Sequence, residues 1–271
     1  MTSLRLGCVK YLNARPLVHG WRGAVEFGDP STLCKRLANG EVNVALVSSF
    51  EFLRNPIYRI VDDISISSDG PVYSVVVAHH GHISELQAID LDPASETAAN
   101  LLHCLLAELR LNIKLTPSKK FGDDVQRQAS ATPKGRLLIG DQAINFRQKH
   151  ADEFTFWDLG EEWKKLVNLP FVYALWLVRP EAVDSQELAN RLRALRDKNL
   201  TNLDKLIADI IAGVADSRGQ NKLSREFLSR YYREHLRFSF GEKEKEGLRK
   251  FADLCTNHGV LPKRGPGLHV V

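Results

Sequence analysis

The sequence predicts two α/β lobes with a ligand cleft between them. Apolar strands and amphipathic helices alternate up to about residue 178. A helical tail without further strands follows, and short polar residues cluster where strands end. The 271 residues are too many for one small core and fit two compact lobes or one large α/β domain. With 44% hydrophobic and 26% charged residues, the chain has the composition of a globular protein.

The first ninety residues read as βαβαβ. Leu4 to Val9 is a short strand, and Asn13 and Pro16 after it fit a helix cap and first turn. Val25 to Phe27 is the second strand. Asp29-Pro30 opens a helix that Asn39-Gly40 stops. Val42 to Val47 is a buried strand, and a helix from Phe50 ends at Pro56. This order implies a parallel sheet with right-handed crossovers. Residues 60–80 are β-rich, with a break at Asp69-Gly70-Pro71.

A second α/β unit follows. Its strands are expected at 88–91, 112–115, 136–139 and 154–159, with a return strand at 170–178. Helices are expected from Asp92-Pro93-Ala94-Ser95 through Leu109, at 142–150 and at 161–167. The tail reads as helices 181–197, 202–213, 221–235 and 242–257. Such a tail cannot bury itself, so it is expected on the first lobe. The first lobe is then 1–88 plus 178–271 and the second is 89–177, with crossings near 88 and 177.

The net charge of +4 favours an anionic ligand only mildly. The basic residues are scattered, which argues against nucleic acid as a partner. No run has the length of a membrane span. The start lacks a basic segment followed by an apolar one, so a cytoplasmic protein is expected. Cys8, Cys34, Cys104 and Cys255 form no CxxC pair and read as reduced, buried thiols. His79, His80 and His82 cluster, but no fourth ligand is evident, and a solvated turn accounts for them. No nucleophile elbow, zinc-binding helix motif or phosphate loop is present.

Ligands of open α/β sheets bind beyond the C-terminal ends of the strands. There the chain places Asn13, Ser48 and Ser49, Ser95 and Thr97 at a helix start, and Asp141. Singly, each is an ordinary cap. Together they favour a shared cleft for a carboxylate or phosphate, which helix N-termini attract.

The same residues carry a resemblance. Tyr11-Leu12-Asn13-Ala14-Arg15-Pro16-Leu17 resembles the opening motif of the MqnA family, the chorismate dehydratases of the futalosine route to menaquinone. Residues 40–47, 66–75, 138–141, 158–163, 169–176 and 238–241 match further family motifs in order. The resemblance implies a type-2 periplasmic-binding-protein-like fold and loss of water from chorismate, the small anionic substrate. It implies no cofactor and no metal. It places Asn13 and Ser74 as catalytic, Ser95 and Thr97 at the helix start that holds a substrate carboxylate, and Asp141 in the cleft motif; Ser48, Ser49, Ser67 and Ser68 complete the expected substrate contacts. This chain departs from the pattern at Ala94, Glu96 and Ala98, where Glu96 adds a negative charge near the expected anion site. The rival reading is a binding protein of the same fold that holds a small carboxylate without chemistry.

Overall fold

The structure is a computed structural model, and it describes residues 4–117, 134–182, 184–215, 223–263 and 267–271. Two five-stranded mixed sheets organise it. The first contains β1 (Leu6–Val9), β2 (Val25–Gly28), β3 (Val44–Ser48) and β4 (Arg59–Ser68). In the second are β5 (Val75–His79), β6 (Ala88–Leu91), β7 (Lys114–Pro117), β8 (Lys134–Ile139) and β9 (Thr155–Asp158). The last strand, β10 (Phe171–Val178), returns to the first sheet. The orders are β2-β1-β3-β10-β4 and β7-β6-β8-β5-β9.

The two sheets share one plan. Three parallel strands form one side of each. Beside them runs an antiparallel strand that arrives from the other half of the chain, β10 in the first sheet and β5 in the second. All eight residues of β10 are buried, and a strand covered on both faces reads as an unbroken apolar run. Along β5, Val75 and Val77 face one core cluster and Val76 and Ala78 face another. That alternation follows the two-residue period of a strand.

Strand pairing corrects the expected lobe boundaries. β5 belongs to the second sheet, so the chain crosses at 69–74 and again at 159–170, not near 88 and 177. The Asp69-Gly70-Pro71 break, read as a turn within one lobe, is the first crossing. Gly70 (φ 127°) and Tyr73 (φ 67°) sit in the left-handed region there.

Among the described residues, seven longer helices cover the sheets: α2 (Pro30–Ala38), α4 (Glu96–Glu108), α5 (Gly140–Lys149), α6 (Leu159–Val167), α7 (Ser185–Thr201), α8 (Leu203–Ala215) and α10 (Glu242–Asn257). Shorter ones are α1 (Arg15–Val18), α3 (Ser49–Arg54) and α9 (Arg225–Arg230). A π-type turn, Tyr231–His235, continues α9. Within the tail, α7 packs on α1 and β4, while α10 packs on β10 and also on α4 of the second lobe. Bridges from Arg237 to Ser67 and from Val270 to Ile60 bring the C-terminal chain to the outer edge of β4. No helix among the described residues is long and apolar enough to cross a membrane.

Candidate active site between the lobes

The strand ends of the two sheets meet at a cleft of about 550 Å³ of empty space, its open mouth included. Helices start around it. Pro30 opens α2, Ser48 precedes α3, Ser95 precedes α4 and Gly140 opens α5. Helix starts carry unpaired N–H groups and partial positive charge, which suits an anion. Among the described residues the lining has no formally charged side chain. Val9, Ile66, Val72, Val75 and Ile139 supply apolar walls, and Asn13, Ser48, Ser74, Ser95, Thr97, Tyr11 and Tyr173 supply polar groups.

Five of the expected site residues line this cleft: Asn13, Ser48, Ser74, Ser95 and Thr97. Asn13 is not the expected cap. It lies inside a short 3₁₀ turn, Leu12–Ala14, whose cap position is Tyr11. Its buried Oδ1 has no hydrogen-bond partner among the described residues. Ser95 does cap α4, accepting from the Ala98 N–H at 3.2 Å. The Thr97 hydroxyl bonds Ser48 Oγ across the cleft and accepts from the Phe50 N–H at 3.1 Å. One lobe thus satisfies the helix start of the other. Glu96 does not add free charge to the site, because Arg54 of the first lobe pairs with it at 2.7 Å.

Four expected contacts, Ser49, Ser67, Ser68 and Asp141, fall outside the described lining. Ser49 Oγ donates to the Val172 carbonyl at 2.7 Å. Ser67 Oγ faces the Arg237 carbonyl, and Ser68 Oγ donates to the Gly70 carbonyl at 3.0 Å and meets Tyr173 Oη at 3.1 Å. Alternation along β4 did not reveal that the tail and the crossing would occupy these hydroxyls.

Asp141 follows the lining residue Gly140 and acts between lobes. Its Oδ1 accepts the Leu12 N–H at 2.9 Å. Burial pushes its carboxyl up from 3.8 to about 6, against the pull of that N–H and of Arg15 and Lys10. Between these values the native state holds a proton that the unfolded chain has lost. The native state is therefore favoured at the acid end of this window, and the contribution is lost as pH rises through about 6. Asp141→Asn keeps an acceptor for Leu12. Its melting temperature relative to the parent should rise between pH 4 and pH 7; a flat difference would contradict the assignment.

Sequence reasoning passed over Asp158. This buried carboxylate accepts from Val72, Tyr73, Gly160 and Glu161 N–H groups at 2.7 to 3.2 Å. It ties both crossings together just before Ser74. Asp158→Ala leaves buried donors unpaired, at about 1–3 kcal/mol each. A fall of several degrees in melting temperature is expected by calorimetry, and an unchanged value would refute it. Tyr11 and Tyr173 were also missed as lining groups, although both lie in motifs the sequence singled out.

Comparison with known proteins agrees with this architecture. A crystal structure from Archaeoglobus fulgidus superposes with a TM-score of 0.72 at 22% identity, covering 95% of this chain and 98% of that one. The periplasmic aliphatic sulphonate binding protein of Escherichia coli gives 0.61 at 12% identity, covering 97% and 89%. Fold and cleft therefore define a protein of the periplasmic-binding-protein-like class, built of two α/β lobes. More specifically, residues 4–257 match the family model described as menaquinone biosynthesis, and the chain belongs to that family. A chorismate dehydratase of Thermus thermophilus is 30% identical, over 92% of this chain and 93% of its own length.

Proposed function

We propose that the chain is a chorismate dehydratase, a carbon–oxygen lyase that converts chorismate to 3-[(1-carboxyvinyl)oxy]benzoate on the futalosine route to menaquinone. The observation that carries this reading is the convergence of helix starts from both lobes on one cleft with apolar walls, whose described lining residues carry no charge. Chorismate has two carboxylates for such starts and a ring for such walls. The Thermus thermophilus relative supplies the substrate class.

The chemistry asks little of the protein. A ring C–H bond and the neighbouring C–OH bond break, the proton leaves with the hydroxyl as water, and the ring becomes aromatic. The balance needs no electron acceptor. Among the described lining residues there is no Asp, Glu, His or Lys, and in this reading the substrate's own enolpyruvyl carboxylate serves as the base. The protein then contributes orientation and charge stabilisation, which together supply several kcal/mol. Asn13 and Ser74 hold that carboxylate or the departing hydroxyl. Ser95, Thr97 and the start of α4 hold the other carboxylate, and lobe closure excludes water.

Incubation of the purified protein with chorismate, followed by mass spectrometry, tests the reading. One product lighter by one water, formed as chorismate disappears, is expected. Binding of chorismate without turnover would overturn the enzymatic reading in favour of a carboxylate-binding protein.

A further inference from the structure

We propose that Tyr231 is a positioning residue that sets the hydroxyl of Ser74, an inference that rests on the role given above to Ser74. Tyr231 is fully buried, and its hydroxyl donates to Ser74 Oγ at 2.8 Å. A serine hydroxyl has two lone pairs and one proton. Tyr231 occupies a lone pair. Among the described residues the only protein acceptor for the proton is the Val72 carbonyl at 3.5 Å, at the outer limit of a hydrogen bond. The Ser74 proton is thereby left for a group in the cleft, and its oxygen is held in place.

The neighbouring residue acts on the other proposed catalytic group. The Tyr232 hydroxyl donates to the Leu12 carbonyl at 2.8 Å, which belongs to the peptide bond leading into Asn13. Two consecutive side chains of one turn thus fix the surroundings of both residues. That turn is the π-type turn Tyr231–His235, a wide geometry found often at functional sites. Phe227 stacks on the Tyr231 ring at 5.8 Å and touches the Tyr73 ring at 5.1 Å. This stacking and full burial leave the Tyr231 hydroxyl little choice of direction. The tail reaches the site through these rings, a contact that helical periodicity does not signal.

Tyr231→Phe removes only the hydroxyl and tests the proposal through a cycle with Ser74→Ala. In an otherwise unchanged protein, Y231F should lower kcat about tenfold or more, the scale for groups that orient a direct contact. KM should stay within about threefold, as for an interaction felt mainly in the transition state. In the S74A background, Y231F should cost nothing further. A wild-type kcat in Y231F overturns the proposal, as does an equal loss in both backgrounds, because a merely structural tyrosine would behave that way. If the parent protein does not turn over chorismate, the proposed function fails instead. A crystal structure of Y231F then decides the positioning role: a rotated Ser74 side chain supports it, and an unmoved one overturns it.

Discussion

Replacing Asn13 by alanine should lower kcat by about 10²–10³, the scale for removing one hydrogen-bonding group that meets developing charge. The argument starts from the 3₁₀ turn after β1, which presents Asn13 to the cleft with its Oδ1 buried and unpaired. A buried amide oxygen without a partner is costly, and here a ligand's hydroxyl can satisfy it. The apolar walls and helix starts proposed to bind the rest of the substrate are untouched by the substitution. KM should therefore move by about threefold or less, the pattern of an interaction made in the transition state. Steady-state kinetics on chorismate checks this. A wild-type kcat in the variant would remove Asn13 from the mechanism.

Gly140→Ala should be nearly as damaging, through closure of the lobes. Gly140 has φ 55°, where a side chain costs roughly 1–2 kcal/mol. The larger effect is steric. A Cβ at this position would lie 2.9 Å from the Tyr11 ring. Gly140 opens α5 of the second lobe and Tyr11 follows β1 of the first, so the clash arises only when the lobes meet. Neither lobe loses core packing. The expected result is a fall in kcat/KM of about 10²-fold, the scale for a 1 Å misplacement in a site. Small-angle scattering should show a larger radius of gyration than the parent. Parental kcat/KM together with a parental radius would contradict the closure argument.

Local rules made much of the fold legible. The run Val42 to Val47, apolar but for Asn43, announced β3 because a strand buried on both faces is nearly all apolar. Asp92-Pro93-Ala94-Ser95 announced α4, and Ser95 caps it as expected. Asp29 shows the limit of such rules. It occupies the cap position of α2, but its carboxylate pairs with Lys10 and not with the helix.

What stayed hidden depends on distant pairing. The break at Asp69-Gly70-Pro71 looks the same whether the next strand rejoins its own sheet or enters another. Only the insertion of β5 between β8 and β9 decides it. Ser49, Ser67 and Ser68 share the composition of Ser48, yet neighbours from β10, the tail and the crossing engage their hydroxyls. Tyr231 lies 157 residues from Ser74 in sequence, and no periodicity links them. The candidate site was legible where it consists of helix starts, and it was not where side chains from the tail complete it.

The central claim is that both halves of the molecule grip one dianion. A crystal structure with 3-[(1-carboxyvinyl)oxy]benzoate bound tests it most directly. The account predicts one carboxylate at the start of α4 by Ser95 and Thr97, the other within hydrogen-bond reach of Asn13 or Ser74, and the ring between the apolar walls. A ligand held by one lobe alone, or bound away from Asn13 and Ser95, would contradict it.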